Sequence, residues 1–400
     1  MSGHKRQVNF ELLRIIAMLM IITLHYLDKG GILPTWIQEV DRPLGGIASV
    51  PELMAMFLEA FCLPAVNCFV LVTGYFGLHN INKSVPFRRI GKLWLTVIFY
   101  SVVIALLCLA FDFTGGFDID LYFAIDTVFP VLTKQYWFAT SYILLMLFAP
   151  FLTRGMEQLS QKDYQLLLAV LLGYFSLART IVFFYWFPLD TGGYDVLWFI
   201  VLYLLGGYIA RFGIPFASTA GKAAILYAAP AALIPVVILA LRYVNIATGS
   251  FESVTDNAYS YNHVLCVLSS LGLFSLFRAM GSRAAAGHPA EGEDSDANTV
   301  AAGEMNSRAC AKPEGMLPRL IRLFAPAVFG VYLIHEHPLL RYRWPEWFHT
   351  EDFAGSVLFP LHWILTVLTV FLVCALIELL RQKAASILLG QNRKLGRNNP

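Results

Sequence analysis

Charge is what this sequence has least of. Asp, Glu, Lys and Arg make up 14% of its 400 residues, against 58% hydrophobic residues; a soluble domain carries about 25% charged residues. A mean hydropathy of +0.62 points the same way: for most of this surface the solvent is lipid. The net charge of +2 offers no bulk attraction for a polyanion, so no nucleic-acid partner is expected. Cysteine offers little chemistry either. Cys62, Cys68, Cys108, Cys266, Cys310 and Cys374 form no CxxC or other metal-like spacing, and five of them lie in apolar runs, where cysteine acts as a small hydrophobe. Internal repeats and heptads are absent, and no stretch is long and polar enough for a soluble domain of useful size.

What is present is a series of apolar runs. A bilayer core about 30 Å thick needs roughly 20 apolar residues per helix. Ten runs qualify: 10–28, 53–78, 92–111, 136–153, 164–186, 195–210, 223–243, 261–280, 322–340 and 356–380. The first is too long for the apolar region of a signal peptide and no small-residue cleavage site follows it, so an uncleaved first span is expected. Lys and Arg concentrate in alternate flanking segments: Lys5 and Arg6, then Lys83, Arg88 and Arg89, then Arg154 and Lys162, Arg211 and Lys222, and the C-terminal segment from Arg381. The segments between them hold Lys29, Arg42, Lys134, Arg341 and Arg343, with acids such as Asp112, Asp118, Asp120, Asp126, Asp190 and Asp256. This asymmetry predicts an all-α polytopic bundle of about ten transmembrane helices, in one domain, with both termini cytoplasmic. The stretch 282–316 is rich in Ala, Gly and acidic residues; it cannot bury a core and is expected to be a disordered cytoplasmic loop.

The first span carries residues that a lipid-facing helix avoids: Glu11, Arg14 and His25. Each helical residue turns 100° and rises 1.5 Å, so eleven residues return His25 to within about 20° of Arg14, roughly 16 Å further along the axis. Glu11 lies at i−3 from Arg14, close enough to pair with it. Arg14 near a helix end either snorkels to the headgroups or faces a ligand. A titratable ring deep in a span needs a partner or a wet cavity, and the shared face directs both groups into one space.

Arg14, ten intervening residues and His25, in the first of about ten spans, resemble the signature of the membrane acyltransferase 3 family, bacterial O-acetyltransferases of surface glycans. Three further stretches resemble that family: NCFVLVTGYFG at 67–77, YWFATSYILL at 136–145 and FGVYLIHEHPLL at 329–340. This chain has Thr73 where serine is common before Gly-Tyr, and an acidic insertion in the 282–316 loop. The resemblance implies transfer of an acyl group, usually acetyl, from coenzyme A to a hydroxyl of a carbohydrate, at or beyond the outer face of a bacterial cytoplasmic membrane. Acyl-CoA is then a co-substrate rather than a resident cofactor, and the partners are acyl-CoA, a glycan acceptor and membrane lipid.

The chemistry suits the residues. Acyl transfer to a hydroxyl needs a base and oxyanion stabilisation. His25 serves either as that base or as a covalent acyl carrier. A cytosolic polyanionic donor calls for cations on the cytoplasmic side, and Arg14, Lys83, Arg88 and Arg89 are candidates, with Tyr75 beside them; the loop charges equally serve topology. Asn67 is a candidate for the acceptor region, since a buried amide needs partners. Trp137 and Tyr142 read either as an interfacial aromatic belt or as a platform for a sugar ring. Arg179 is read at the outer mouth or snorkelling, Gly74 as a close-packing residue, and His335 as orienting His25 or the acceptor. Glu336 and His337 are expected at the wet interface. No metal is expected, because helical residues at i and i+2 such as His335 and His337 point about 200° apart. A transporter or flippase of glycan precursors is the alternative class, which normally shows repeated halves and interrupted spans.

Overall fold

The computed structural model describes residues 7–33, 50–78, 84–111, 119–185, 187–249, 257–286 and 315–395. Every regular element among them is helical, as hydrocarbon requires of a backbone that must satisfy its own polar groups. In chain order the helices are α1 (Val8–Asp28), α2 (Val50–Cys62), α3 (Pro64–Gly77), α4 (Phe87–Ala110), α5 (Leu121–Val128), α6 (Trp137–Gln158), α7 (Gln161–Leu172), α8 (Val196–Phe212), α9 (Ala220–Thr248), α10 (Val264–Ala286), α11 (Met316–Phe324), α12 (Val328–His335), α13 (Arg343–Trp347) and α14 (Phe359–Leu395). Among the described residues nine helical segments are long and apolar enough to cross a membrane, and α8 is apolar but shorter, at 17 residues. The chain is a polytopic membrane bundle.

Helix α1 runs through its middle. Phe10, Leu13, Ile22, Tyr26 and Leu27, which point in all directions around the axis, are almost wholly buried; a helix apolar on every side belongs inside. It packs against α3, α10, α14 and α2. The peripheral helices expose Leu95, Leu106, Leu166, Ile225 and Leu361, side chains suited to lipid. Two glycines let α3 and α8 touch backbone to backbone. A Cβ at Gly74 would lie 2.2 Å from the Tyr203 carbonyl oxygen, and one at Gly206 would lie 2.4 Å from that of Leu71. Gly74 is thus the close-packing residue its sequence context implied.

Several runs that read as continuous are broken, each for a local reason. Pro64 opens α3 and divides the second span at Leu63, since proline cannot continue the preceding ladder. The fifth span passes through a π-helical turn, Gly173–Ala178, before a short helix, Arg179–Ile181. The ninth span, expected over 322–340, instead starts at Met316, tightens to a 3₁₀ turn at Ala325–Ala327 and stops at His335. It stops there because Pro338 disfavours helix for His337. The stretch 282–316 lies for the most part outside the described residues; its first residues, to Ala286, continue α10.

Candidate active site

A cavity of about 770 Å³ opens between α1, α3, α6 and α12. Along α1 it touches Gln7, Phe10, Glu11, Arg14, Met18, Ile21 and His25, a stripe that recurs every three or four residues and so follows one helix face. Eighteen residues separate the ends of that stripe, about 27 Å of axis. Arg14 and His25 therefore do share one space. The Gln7 end is also bounded by Ser84, Arg89 and Pro326, and the His25 end by Trp137 and Tyr261.

At the Gln7 end, Arg14 Nη1 donates to Glu11 Oε1 at 2.6 Å. Arg89 lines the cavity, whereas Arg88 is exposed outside its wall, and Lys83 lies outside the described residues. Tyr75 lines the cavity and packs against Phe10 and Phe274 at 5.5 and 5.4 Å between ring centroids. Midway, Thr73 donates its hydroxyl proton to the Phe69 carbonyl at 2.9 Å, so the 3.2 Å contact with Tyr142 is donated by the tyrosine. Thr73 thus keeps a hydroxyl at the position where serine is common in the resembling motif.

At the far end, His25 Nδ1 lies 3.0 Å from His335 Nε2 and 3.0 Å from Glu336 Oε2. The tautomers follow from the partners. His335 Nδ1 faces the Val331 carbonyl oxygen at 2.6 Å, an acceptor only, so Nδ1 carries the proton and Nε2 a lone pair. Both neighbours of His25 Nδ1 are therefore acceptors. The proton of neutral His25 sits on Nδ1, and Nε2 is left with the lone pair in a side chain that lines the cavity.

Glu336 corrects the sequence reading. It is 5% exposed rather than at a wet interface, and it gathers three cationic or donor groups: His25, Lys29 at 2.5 Å and Arg341 at 3.5 Å. Burial alone would raise its carboxyl, but His25 and Lys29 hold it below the usual carboxylate range, ionised. His337 is also buried, at 1% exposure. The Leu339 amide donates to its Nδ1 at 3.2 Å, leaving Nε2–H to donate to the Ser101 carbonyl at 3.2 Å. Because α12 stops at His335, both side chains turn into the bundle instead of continuing outward. One signal for the missed Lys29 was available: it lies at i+4 from His25, on the same face.

Other candidates do structural work. Asn67 is fully buried behind the cavity wall; its amide donates to the Tyr261 carbonyl at 2.8 Å and Ser270 Oγ at 3.1 Å, and accepts from Trp198 Nε1 at 3.1 Å. That ties α3 to α8 and α10. Arg179 is outside the wall and pairs with Asp190 at 2.9 Å and Asn257 at 3.1 Å. Trp137 and Tyr142 do line the cavity; Trp137 stacks against Tyr261 at 5.8 Å and 22°. His25, His335 and Glu336 place three ligand atoms within 4.8 Å, close enough for a divalent ion. Lys29 and Arg341 already crowd that carboxylate with positive charge, which opposes a second cation, and hydrogen bonding accounts for the cluster.

The bundle thus holds an imidazole backed by a buried carboxylate at one end of a long internal cavity. The chain belongs to the acyltransferase 3 family: that family's model, described as an acyltransferase domain, matches residues 7–379. No curated protein and no solved structure was found to match it. It is a multi-pass membrane acyltransferase.

Proposed function

We propose that this chain is an O-acyltransferase of a bacterial cytoplasmic membrane, moving an acyl group, usually acetyl in proteins of this resemblance, from cytosolic acyl-CoA to a hydroxyl of a cell-surface or lipid-linked glycan. The observation that carries this reading is the pairing of an unprotonated His25 Nε2 with Arg14 along one cavity face. On this reading the donor's phosphates meet Arg14 and Arg89 at the Gln7 end, on the cytoplasmic side, with Lys83 and Arg88 in the adjoining segment. Its thioester arm follows the cavity past Tyr142 to His25, and the acceptor reaches His25 past Trp137.

His25 Nε2 takes the hydroxyl proton as the acceptor oxygen attacks the thioester carbonyl carbon. The Nδ1 proton, held between Glu336 and His335, fixes the ring, and the Glu336 carboxylate stabilises the imidazolium that forms. Collapse of the tetrahedral intermediate re-forms the carbonyl and breaks the C–S bond; the thiolate leaves with the proton from Nε2. Ester and free thiol are the products.

The test is His25→Ala in cells, with surface-glycan O-acetylation read by mass spectrometry. Acetylation is expected to disappear while the protein still inserts into the membrane. Normal acetylation by an inserted variant overturns the reading, and solute uptake that depends on the chain but survives His25→Ala would favour a transporter.

A further inference from the structure

We infer that Tyr332 supplies the hydrogen bond that stabilises the oxyanion in this reaction, an inference that rests on the acyl-transfer reading above. Tyr332 is 5% exposed, lines the same cavity as His25, and its hydroxyl has no hydrogen-bond partner. A buried hydroxyl without a partner costs stability, since it has given up water for nothing. Other buried tyrosines of the bundle avoid that cost. Tyr26 reaches His362, Tyr100 Glu378, Tyr136 the Leu333 carbonyl, Tyr164 the Leu204 carbonyl and Tyr203 Thr153. Phenylalanine would fill the site of Tyr332 as well and cost less, unless something absent from the resting protein needs the O–H.

Three observations identify what needs it. First, Tyr332 and His25 flank the same imidazole: the ring of His335 lies 6.4 Å from that of Tyr332 and 5.1 Å from that of His25. His25 and Tyr332 also both line the cavity, so a carbonyl held at His25 Nε2 lies in a space that Tyr332 helps to enclose. Second, the hydroxyl oxygen faces the Phe138 backbone N–H, a group that can only donate, so the tyrosine's own O–H proton has no acceptor. Phe138 is in the first turn of α6, whose N-cap residue Tyr136 gives no side-chain cap. The unsatisfied amides and positive dipole end of a 22-residue helix thus face the same region. Third, aromatic rings enclose Tyr332: Phe138, Tyr136 and Phe329 pack on it at 5.8, 6.0 and 6.4 Å between centroids. Water is a poor competitor there, so a single donor has full effect.

The step balances as follows. Attack by the acceptor oxygen moves the carbonyl π pair onto the carbonyl oxygen, while the hydroxyl proton passes to His25 Nε2. Tyr332 donates its O–H to the resulting oxyanion and keeps its proton throughout. When the pair returns, the C–S bond breaks, the thiolate takes the proton from Nε2, and the tyrosine hydroxyl is again without a partner. A donor satisfied only in the intermediate lowers the barrier without tightening ground-state binding.

Tyr332→Phe removes an O–H whose proton has no acceptor in the resting protein and keeps the ring, so it tests this role with little structural confusion. The full chain is reconstituted in lipid nanodiscs and given acetyl-CoA with an envelope-glycan fraction from cells lacking the protein. Release of the CoA thiol is followed with a chromogenic disulfide. The expected result is a fall in kcat of about 10²-fold, a KM for acetyl-CoA within about twofold of wild type, and a thermal midpoint unchanged or raised. A kcat within about threefold of wild type, or a loss carried by KM alone, overturns the inference and leaves the acyl-transfer reading intact. Thiol release by His25→Ala at the wild-type rate overturns both.

Discussion

At the residue scale, the site is an argument about one proton. Glu336 and His335 both accept at His25 Nδ1, and that choice of tautomer makes Nε2 a base. Glu336→Gln keeps the shape but removes the charge that favours the imidazolium. A fall in kcat of at least about 10²-fold is expected, with some loss of stability because Lys29 and Arg341 lose their buried counter-ion. Thiol release from acetyl-CoA measures it, and a variant within about threefold of wild type would remove Glu336 from the mechanism. Arg14 and His25 were legible in the sequence because both lie on a long uninterrupted helix, where spacing alone fixes direction. Glu336 was not. Its orientation depends on where α12 ends, and an extrapolated helix sends it outward to the interface.

At the scale of elements, the apolar runs were readable because about 20 residues of hydrocarbon-compatible sequence have few other fates. Their interruptions were less so. Pro64 and Pro326 announce a break, but the π turn at Gly173–Ala178 has no comparable marker. Asn67 looked like a ligand-binding residue because an amide in a span demands partners; the partners were other helices, which one sequence cannot display. The corner after α12 carries a pH prediction. Burial pulls His337 down to about 4 from its ordinary 6.5, so the unfolded chain takes up this proton first as pH falls. The contribution of neutral His337 is complete above about pH 6.5 and is lost progressively toward pH 4. The thermal midpoint in detergent should therefore drop between pH 7 and pH 5, and His337→Gln, which can still donate to the Ser101 carbonyl, should lessen that drop. Equal slopes for the two proteins would contradict the assignment.

For the whole molecule, the central fact is that α1 contributes a guanidinium and an imidazole to one interior space whose other walls come from helices spread across the sequence, Phe69 and Thr73 on α3, Tyr142 on α6 and Tyr332 on α12. The ring at its end is clamped through Nδ1 and cannot turn over, so the same nitrogen both receives the proton from the acceptor and returns it to the departing sulfur. No proton need be drawn from one compartment and discharged into the other, and the acetyl group itself is neutral. Turnover on the proposed reading is accordingly electroneutral across the bilayer. In sealed vesicles, dissipating the voltage and the pH difference with ionophores should leave the rate of ester formation unchanged, whereas a strict requirement for either gradient would mean that a second, vectorial proton route runs through this bundle.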